Sequence, residues 1–346
     1  MNKRFLLKGI LSLYQSFSLI NNESYTINTN TNLNKWFELS YSNIYNLATM
    51  SYDVYEKLDI NFNKTIDISK DNDTVKAYLF SSEDKKTHVI SIKGTSIIFG
   101  NSLKIFNSVY NDKFNDNLFY SCCFYKESSL YNKIDELLNE KCWDAQKVKG
   151  QLILSSKAIC KQKCFSLMNK HVLNYISITY NIIKQLKSQN IYNIDFENDE
   201  IIFTGHSLGG SLAVVMGILY NKPAVSFESP GIKNYLLQSN ILKDYNKTID
   251  SISNIYNFGH NADTIFTGKC VGKFSLCYIG GYNIETKCHI GKVCEYDAIN
   301  KLNISESIFT HKLKYIIDKI IPHWENDFPI CEDKKECNDC ENWIYT

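Results

Sequence analysis

The 346-residue chain is 44% hydrophobic with a formal charge of +1, so it can bury a large core and lacks the basic excess that nucleic-acid binding demands. Four prolines and the absence of a low-complexity linker favour one principal domain. Twelve cysteines are many for a reducing cytosol and point to disulfides formed in an oxidising compartment.

The chain begins MNKRFLLKGILSLYQSFSLI, with Lys3 and Arg4 ahead of an apolar run interrupted by Lys8 and Gln15. Residues 1–30 read as a signal or anchor segment, with an amphipathic helix as the alternative. Ile44, Leu47, Ala48, Val54 and Leu58 place a helical stripe over 41–58. VKAYLF (75–80) and THVISIK (87–93) read as strands joined by the polar turn SSEDKK, the second ending at Gly94-Thr95-Ser96. Residues 100–165 look irregular and hold five cysteines, which suggests an insertion or lid. Val172, Ile176, Thr179, Ile183 and Leu186 predict a helix over 170–188. The stretch DEIIFTGHSLGGSLAVVMGILY (199–220) follows, then two further strand signals in KPAVSFESPG and ISNIYNFGHNAD. HKLKYIIDKII sets Leu313, Ile316, Ile317 and Ile320 on one helical face. Strands alternating with helices imply a mostly parallel sheet covered on both faces, an α/β fold. Residues 331–346 form a cysteine-containing tail. Sequons stand at Asn22, Asn63, Asn72, Asn246 and Asn303, as they would in a glycoprotein.

Gly205-His206-Ser207-Leu208-Gly209 fits G-x-S-x-G, between a buried strand and a helix opening on small residues. That context is what a nucleophile elbow needs, because the serine occupies a strained turn that tolerates no side chain two residues either side. A bare glycine-bearing turn is the bland alternative. A serine hydroxyl needs a histidine base and a carboxylate to orient it, in the chain order Ser, acid, His on this kind of sheet. His88 and His171 precede the serine, and His206 adjoins it and should point away. Asp263 is the preferred acid, just past the strand ending at Phe258 and Gly259; Asp244 and Asp250 lack a preceding strand. His260 precedes that acid. His311, at the start of the amphipathic helix, is the first choice of base, His289 the reserve and His323 the third. The oxyanion donors expected are the main chain of Leu208 and the strand-end turn at Thr95. Zinc at Cys337-x-x-Cys340 with Cys288-His289 competes with disulfides but lacks a second C-x-x-C at ribbon spacing. Serine hydrolysis requires no metal and no other cofactor.

The blocks VISIKGTS, NDNLFYSCC, IIFTGHSLGGSLA, PAVSFESPG, NADTIFTGKC, GGYNIETKCHIGK and CNDCENW occur in order from about residue 75 to the C-terminal end. Together they resemble the class 3 (fungal-type) lipases, and within them the autophagy-related vacuolar branch of fungi. GHSLGG is shared across class 3; the cysteine-bearing blocks are the specific part. The resemblance implies an α/β-hydrolase domain over 31–330 carrying the insertion at about 100–165, and hydrolysis of triacylglycerol or membrane phospholipid. It maps nucleophile, acid and base onto Ser207, Asp263 and His311, and an oxyanion donor onto Thr95. It also implies a lipid substrate at a membrane surface, and delivery through the secretory pathway to a vacuole or other lytic lumen, with secretion as the alternative. An esterase for small soluble esters and a non-catalytic lipid-binding relative are the rival functions.

Overall fold

The computed structural model describes residues 38–55, 66–69, 75–95, 106–123, 142–145, 158–171, 173–189, 192–248, 253–272, 274–334 and 336–346. The segment 1–30, Leu58 and the sequons at Asn22, Asn63 and Asn72 lie outside them. The elements run α1 (Tyr41–Asp53), β1 (Ile66–Asp67), β2 (Ala77–Ser81), β3 (Thr87–Ile92), α2 (Phe106–Tyr120), β4 (Trp143–Ala145), β5 (Ala158–Cys160), α3 (Gln162–Asn169), α4 (Tyr175–Gln189) and β6 (Glu200–His206). They continue with α5 (Leu208–Tyr220), β7 (Ala224–Phe227), α6 (Lys233–Gln238), β8 (Ile255–His260), β9 (Lys292–Tyr296), α7 (Leu313–Lys319), β10 (Cys331–Asp333) and β11 (Trp343–Tyr345), with shorter helical turns between.

Among the described residues, one sheet of eight strands has the order β1-β2-β3-β6-β7-β8-β9-β10. Strands β3, β6, β7, β8 and β9 are mutually parallel, while β1, β2 and β10 close the edges antiparallel. The central strands are buried on both faces, as helices on both sides require. All four residues of β7 are buried, as are six of the seven in β6. Phe227 pairs with Phe258 across β7 and β8, and Phe203 on β6 is equally sealed. Helix α5 is buried from Leu208 to Ile218, so it has no polar face and runs through the core. A mostly parallel sheet, with the sharp β6-to-α5 turn at its centre, is the α/β-hydrolase architecture.

Helix α2 corrects the reading of residues 100–165 as irregular. Its sequence, FNSVYNDKFNDNLFY, shows no clean apolar stripe because Asp112, Asn115, Asp116 and Asn117 are buried alongside Phe114, Leu118 and Phe119. Asp112 accepts the Tyr175 hydroxyl at 2.8 Å, and Asn115 accepts the Tyr175 amide while donating to the carbonyls of Asn111 and Leu173. Asn117 donates to the Gly281 carbonyl and accepts from the Asn283 amide. Each of these side chains is almost fully buried; Asp112 and Asn115 tie the start of α4 to the helix, and Asn117 ties the segment at Gly281–Asn283. Helix α4 starts at Tyr175 and not at 170, because the Asn174 side chain accepts the amides of Ile176 and Ser177 as an N-cap.

All twelve cysteines are paired: Cys122–Cys340, Cys123–Cys160, Cys142–Cys164, Cys270–Cys277, Cys288–Cys337 and Cys294–Cys331. The pairing consumes Cys288, Cys337 and Cys340 and removes the zinc alternative. It marks a chain of the secretory pathway. Segment 331–346 contributes β10 to the main sheet and β11 to a second sheet, parallel to β5, which in turn pairs with β4. Asn246 and Asn303 are exposed in left-handed turns. No helix among the described residues is long and apolar enough to cross a membrane.

Candidate active site

The turn between β6 and α5 holds Ser207 at φ 56°, ψ −128°, a conformation that non-glycine residues adopt at a cost of order 1–3 kcal/mol. The neighbouring glycines make it possible. A Cβ at Gly205 would lie 2.5 Å from the backbone of Gly209, and one at Gly209 would lie 2.1 Å from the Ile92 carbonyl oxygen. The Ser207 amide donates to the Phe227 carbonyl at the end of β7, which fixes the turn against the sheet.

Three side chains predicted from sequence converge at the C-terminal edge of the sheet. Ser207 Oγ lies 2.9 Å from His311 Nε2, and His311 Nδ1 lies 2.6 Å from Asp263 Oδ2. All three residues are buried. Asp263 follows β8, and its other oxygen accepts the Ile265 amide at 2.8 Å. Burial alone would raise the Asp263 carboxyl, but the His311 imidazole and hydrogen bonds from His311 and Glu228 outweigh it and hold the group below its ordinary value. An ionised Asp263 accepts only, so His311 Nδ1 carries a proton and donates. Nε2 then offers its lone pair to the Ser207 hydroxyl. His311 is not the first residue of α7: it ends a 3-10 turn over Ile308–His311, and extended Lys312 separates it from the helix. Two bonds hold that turn beside Asp263: the Ser307 amide and the Thr310 hydroxyl both donate to the Ala262 carbonyl.

The other histidines are engaged elsewhere. His289 Nε2 donates to the Ser229 carbonyl at 2.8 Å, and burial pushes its imidazole down to about 4. His323 is exposed in the turn after α7. His206 does point away from Ser207, into a chain that passes behind it. The Gly94 amide donates to the Tyr55 hydroxyl at 2.9 Å, and that hydroxyl donates to His206 Nδ1 at 3.1 Å. His206 Nε2 donates to the His311 carbonyl at 2.8 Å. Burial, reinforced by the nearby His311, drives His206 down to about 3, so it is neutral, as these roles require.

The end of β3 lies against the elbow: a Cβ at Gly94 would meet the His206 carbonyl oxygen at 2.3 Å and the Gly209 nitrogen at 3.2 Å. Thr95, the next residue, gives its hydroxyl to Asp116 Oδ2 at 2.6 Å. Asp116 lies on α2, and burial pushes its carboxyl up to about 8. Leu208 opens α5, where amides of a first helical turn lack intrahelical acceptors.

Glu228 is a residue that the sequence reading did not single out. It directly follows β7, has φ 46° and is 1% exposed. Its carboxyl faces Asp263, with His260 Nε2 3.5 Å away and the His260 amide at 3.4 Å. Burial, then the Asp263 charge, pushes Glu228 well above the usual carboxylate range. Two adjacent buried carboxyls cannot both ionise, so Glu228 keeps its proton and donates to Asp263. Its trace in the sequence is an acid placed straight after an apolar strand, in SFESPG.

Residues 149–267 match the family model described as "Lipase (class 3)". The protein named "Putative lipase ATG15" of Candida glabrata is 33% identical over 282 residues, 80% of this chain and 50% of the relative. Its namesake in Saccharomyces cerevisiae is 33% identical over 280 residues, 81% of this chain and 49% of the relative. That of Pichia angusta is 31% identical over 312 residues, 87% and 54%. The chain thus spans about half the length of the curated relatives it matches. In its sequence over the elbow region and beyond, the chain is similar to the class 3 lipases.

Proposed function

We propose that the protein is a lipid-ester hydrolase that uses Ser207, His311 and Asp263 as a catalytic triad. The observation that carries the reading is the continuous hydrogen-bonded chain from Ser207 Oγ through the His311 ring to Asp263, at 2.9 and 2.6 Å. Ser207 Oγ attacks the acyl carbonyl carbon while His311 Nε2 takes its proton. The tetrahedral intermediate collapses, and His311 returns that proton to the departing alkoxide, leaving an acyl group on Ser207. Water, deprotonated by His311, then attacks the acyl-enzyme, and the serine recovers its proton as the fatty acid leaves. Asp263 stays ionised and stabilises the imidazolium in both halves. The Leu208 amide and the main chain at Thr95 serve the oxyanion; the Thr95 hydroxyl, committed to Asp116, holds that loop in place.

The substrates proposed are acylglycerols and membrane phospholipids. The site of action proposed is a lytic lumen of the secretory pathway, where lipids of autophagic or endosomal vesicles are broken down. Six disulfides and relatives named for a lipase support this. The test is hydrolysis by purified protein of phospholipid vesicles, a triolein emulsion and a soluble short-chain ester, with Ser207→Ala alongside. Activity on vesicles or emulsion exceeding that on the soluble ester, and abolished in Ser207→Ala, supports the reading. Activity confined to the soluble ester replaces it with a small-ester esterase, and full activity in Ser207→Ala removes the triad.

A further inference from the structure

The loop after Asp263 presents apolar side chains to solvent. Val271 is 48% exposed, Phe274 96%, Leu276 54% and Ile279 68%. Side chains of this kind normally turn inward, and here they cannot. The Cys270–Cys277 disulfide closes the loop at a separation of seven residues, and Cys270 is fastened to the Thr264 carbonyl by its amide at 2.9 Å. Ser275 caps the short helical turn Leu276–Ile279, accepting the Tyr278 amide, so the outward display is built into the backbone. An apolar group held in water by covalent and capping restraints marks a contact surface.

The surroundings suit a lipid surface. From Thr264 to Ile284 the sequence contains no aspartate or glutamate, and it contains Lys269 and Lys273. Lys113 sits over the Tyr282 ring at 5.0 Å on the same segment. The Lys269 ammonium pairs with Glu306, which joins this loop to the turn that carries His311. On that turn Phe309 is 57% exposed, with the Lys312 ammonium 6.0 Å from its ring centre. Apolar tips on the two loops that bear Asp263 and His311, with Lys312 beside Phe309 and no acid from Thr264 to Ile284, are what an interfacial anchor needs: the tips enter the acyl boundary and the Lys312 ammonium meets the headgroups.

We infer that the disulfide-closed loop Cys270–Cys277 with the adjoining turn to Ile279 is a docking element that seats the protein on an anionic lipid bilayer. The inference takes its purpose from the lipid-hydrolase reading above, yet its test does not depend on turnover. Binding is measured by co-sedimentation with phosphatidylcholine vesicles containing phosphatidylserine, using the full chain, the Ser207→Ala variant, and a Phe274→Ser/Ile279→Ser double variant. Both changes are at exposed positions, and circular dichroism with a melting curve verifies the fold. Wild type and Ser207→Ala should bind alike, and the double variant should bind at least ~10-fold more weakly, since buried apolar side chains of this size are each worth about that or more. Cleavage of a soluble short-chain ester should be unchanged in the double variant, while cleavage of vesicle lipid falls with binding. Equal vesicle binding by the folded double variant overturns the inference, as does a wild type that ignores vesicles, which would leave the loop as a protein-binding surface. If vesicle binding depends on Phe274 and Ile279 but no ester is cleaved, docking stands and the hydrolase reading falls.

Discussion

His206 Nε2 donates a hydrogen bond to the main-chain carbonyl of His311 at 2.8 Å, and the two imidazole rings lie 4.7 Å apart. The residue just before the proposed nucleophile thus holds the backbone of the proposed base. His206 is itself held by Tyr55, which also receives the amide of Gly94 at the end of β3. Elbow, base and the loop proposed for the oxyanion therefore share one buried hydrogen-bonded strut.

His206→Leu should break that strut without touching substrate. A base displaced by about an ångström loses ~100-fold in rate, so kcat on a soluble ester should drop by roughly that factor with little change in KM. Steady-state kinetics on folded variant are the measurement. A kcat within twofold of wild type would show that the His311 turn needs no such support.

Glu228 invites a comparison of two substitutions. Glutamine retains a donor of similar shape for Asp263, whereas alanine leaves the buried Asp263 carboxylate one hydrogen bond short. Glu228→Gln should keep kcat/KM within a few-fold of wild type between pH 5 and 7. Glu228→Ala should lose ~10-fold or more, the order expected for a lost hydrogen bond to a charge. Equal damage by both variants would mean that Glu228 acts ionised, and the proton assignment would be wrong.

Much of the site was legible because its signals are local. The strand Ile201-Ile202-Phe203, the glycines at 205 and 209 and the small-residue opening of α5 are contiguous, and each follows from the steric demands of one turn. Chain order reduced the acid and base to a few candidates. Three-dimensional pairing then separates His311, which meets Ser207, from His289, which is spent on the Ser229 carbonyl. Helix α2 was illegible for a physical reason: Asp112, Asn115, Asp116 and Asn117 are buried among Phe114, Leu118 and Phe119, so polar and apolar residues share its inner face and the hydrophobic period is blurred. Glu228 and Tyr55 escaped because their partners lie 35 and 151 residues away in sequence, at Asp263 and His206, and spacing does not reveal such contacts.

Disulfide removal should rank by the length of chain enclosed. Cys122–Cys340 spans 218 residues and ties the last cysteine to the end of α2, while Cys270–Cys277 spans seven. Replacing the first pair by serine should cost roughly 2–5 kcal/mol of stability, and replacing the second should cost less. Thermal melts of the two double variants give the order. A larger drop for Cys270→Ser/Cys277→Ser would show that the short loop stabilises the fold more than chain entropy predicts.

Asp116 gives stability a defined dependence on pH. Burial pushes its carboxyl up to about 8 in the folded chain; the Thr95 hydroxyl opposes the shift, Asp112 adds to it and Lys113 opposes it. The unfolded value is about 3.9. Between those two values the folded protein holds a proton that the unfolded chain has released. Stability from this group is therefore fully present below about pH 4 and is lost as pH rises towards 8. His206 and His289 act oppositely, since their folded values of about 3 and about 4 lie below the ordinary 6.5, and their contribution is lost as pH falls. A difference measurement cancels them. Asp116→Asn has no proton to lose and can still accept the Thr95 hydroxyl, so it lacks the acid-to-neutral decline. The melting temperature of the variant minus that of wild type should become steadily more positive from pH 5 to pH 8. A difference that stays flat across that range would mean that Asp116 is ionised in the folded protein at pH 5, and that the Thr95 loop rests on a carboxylate.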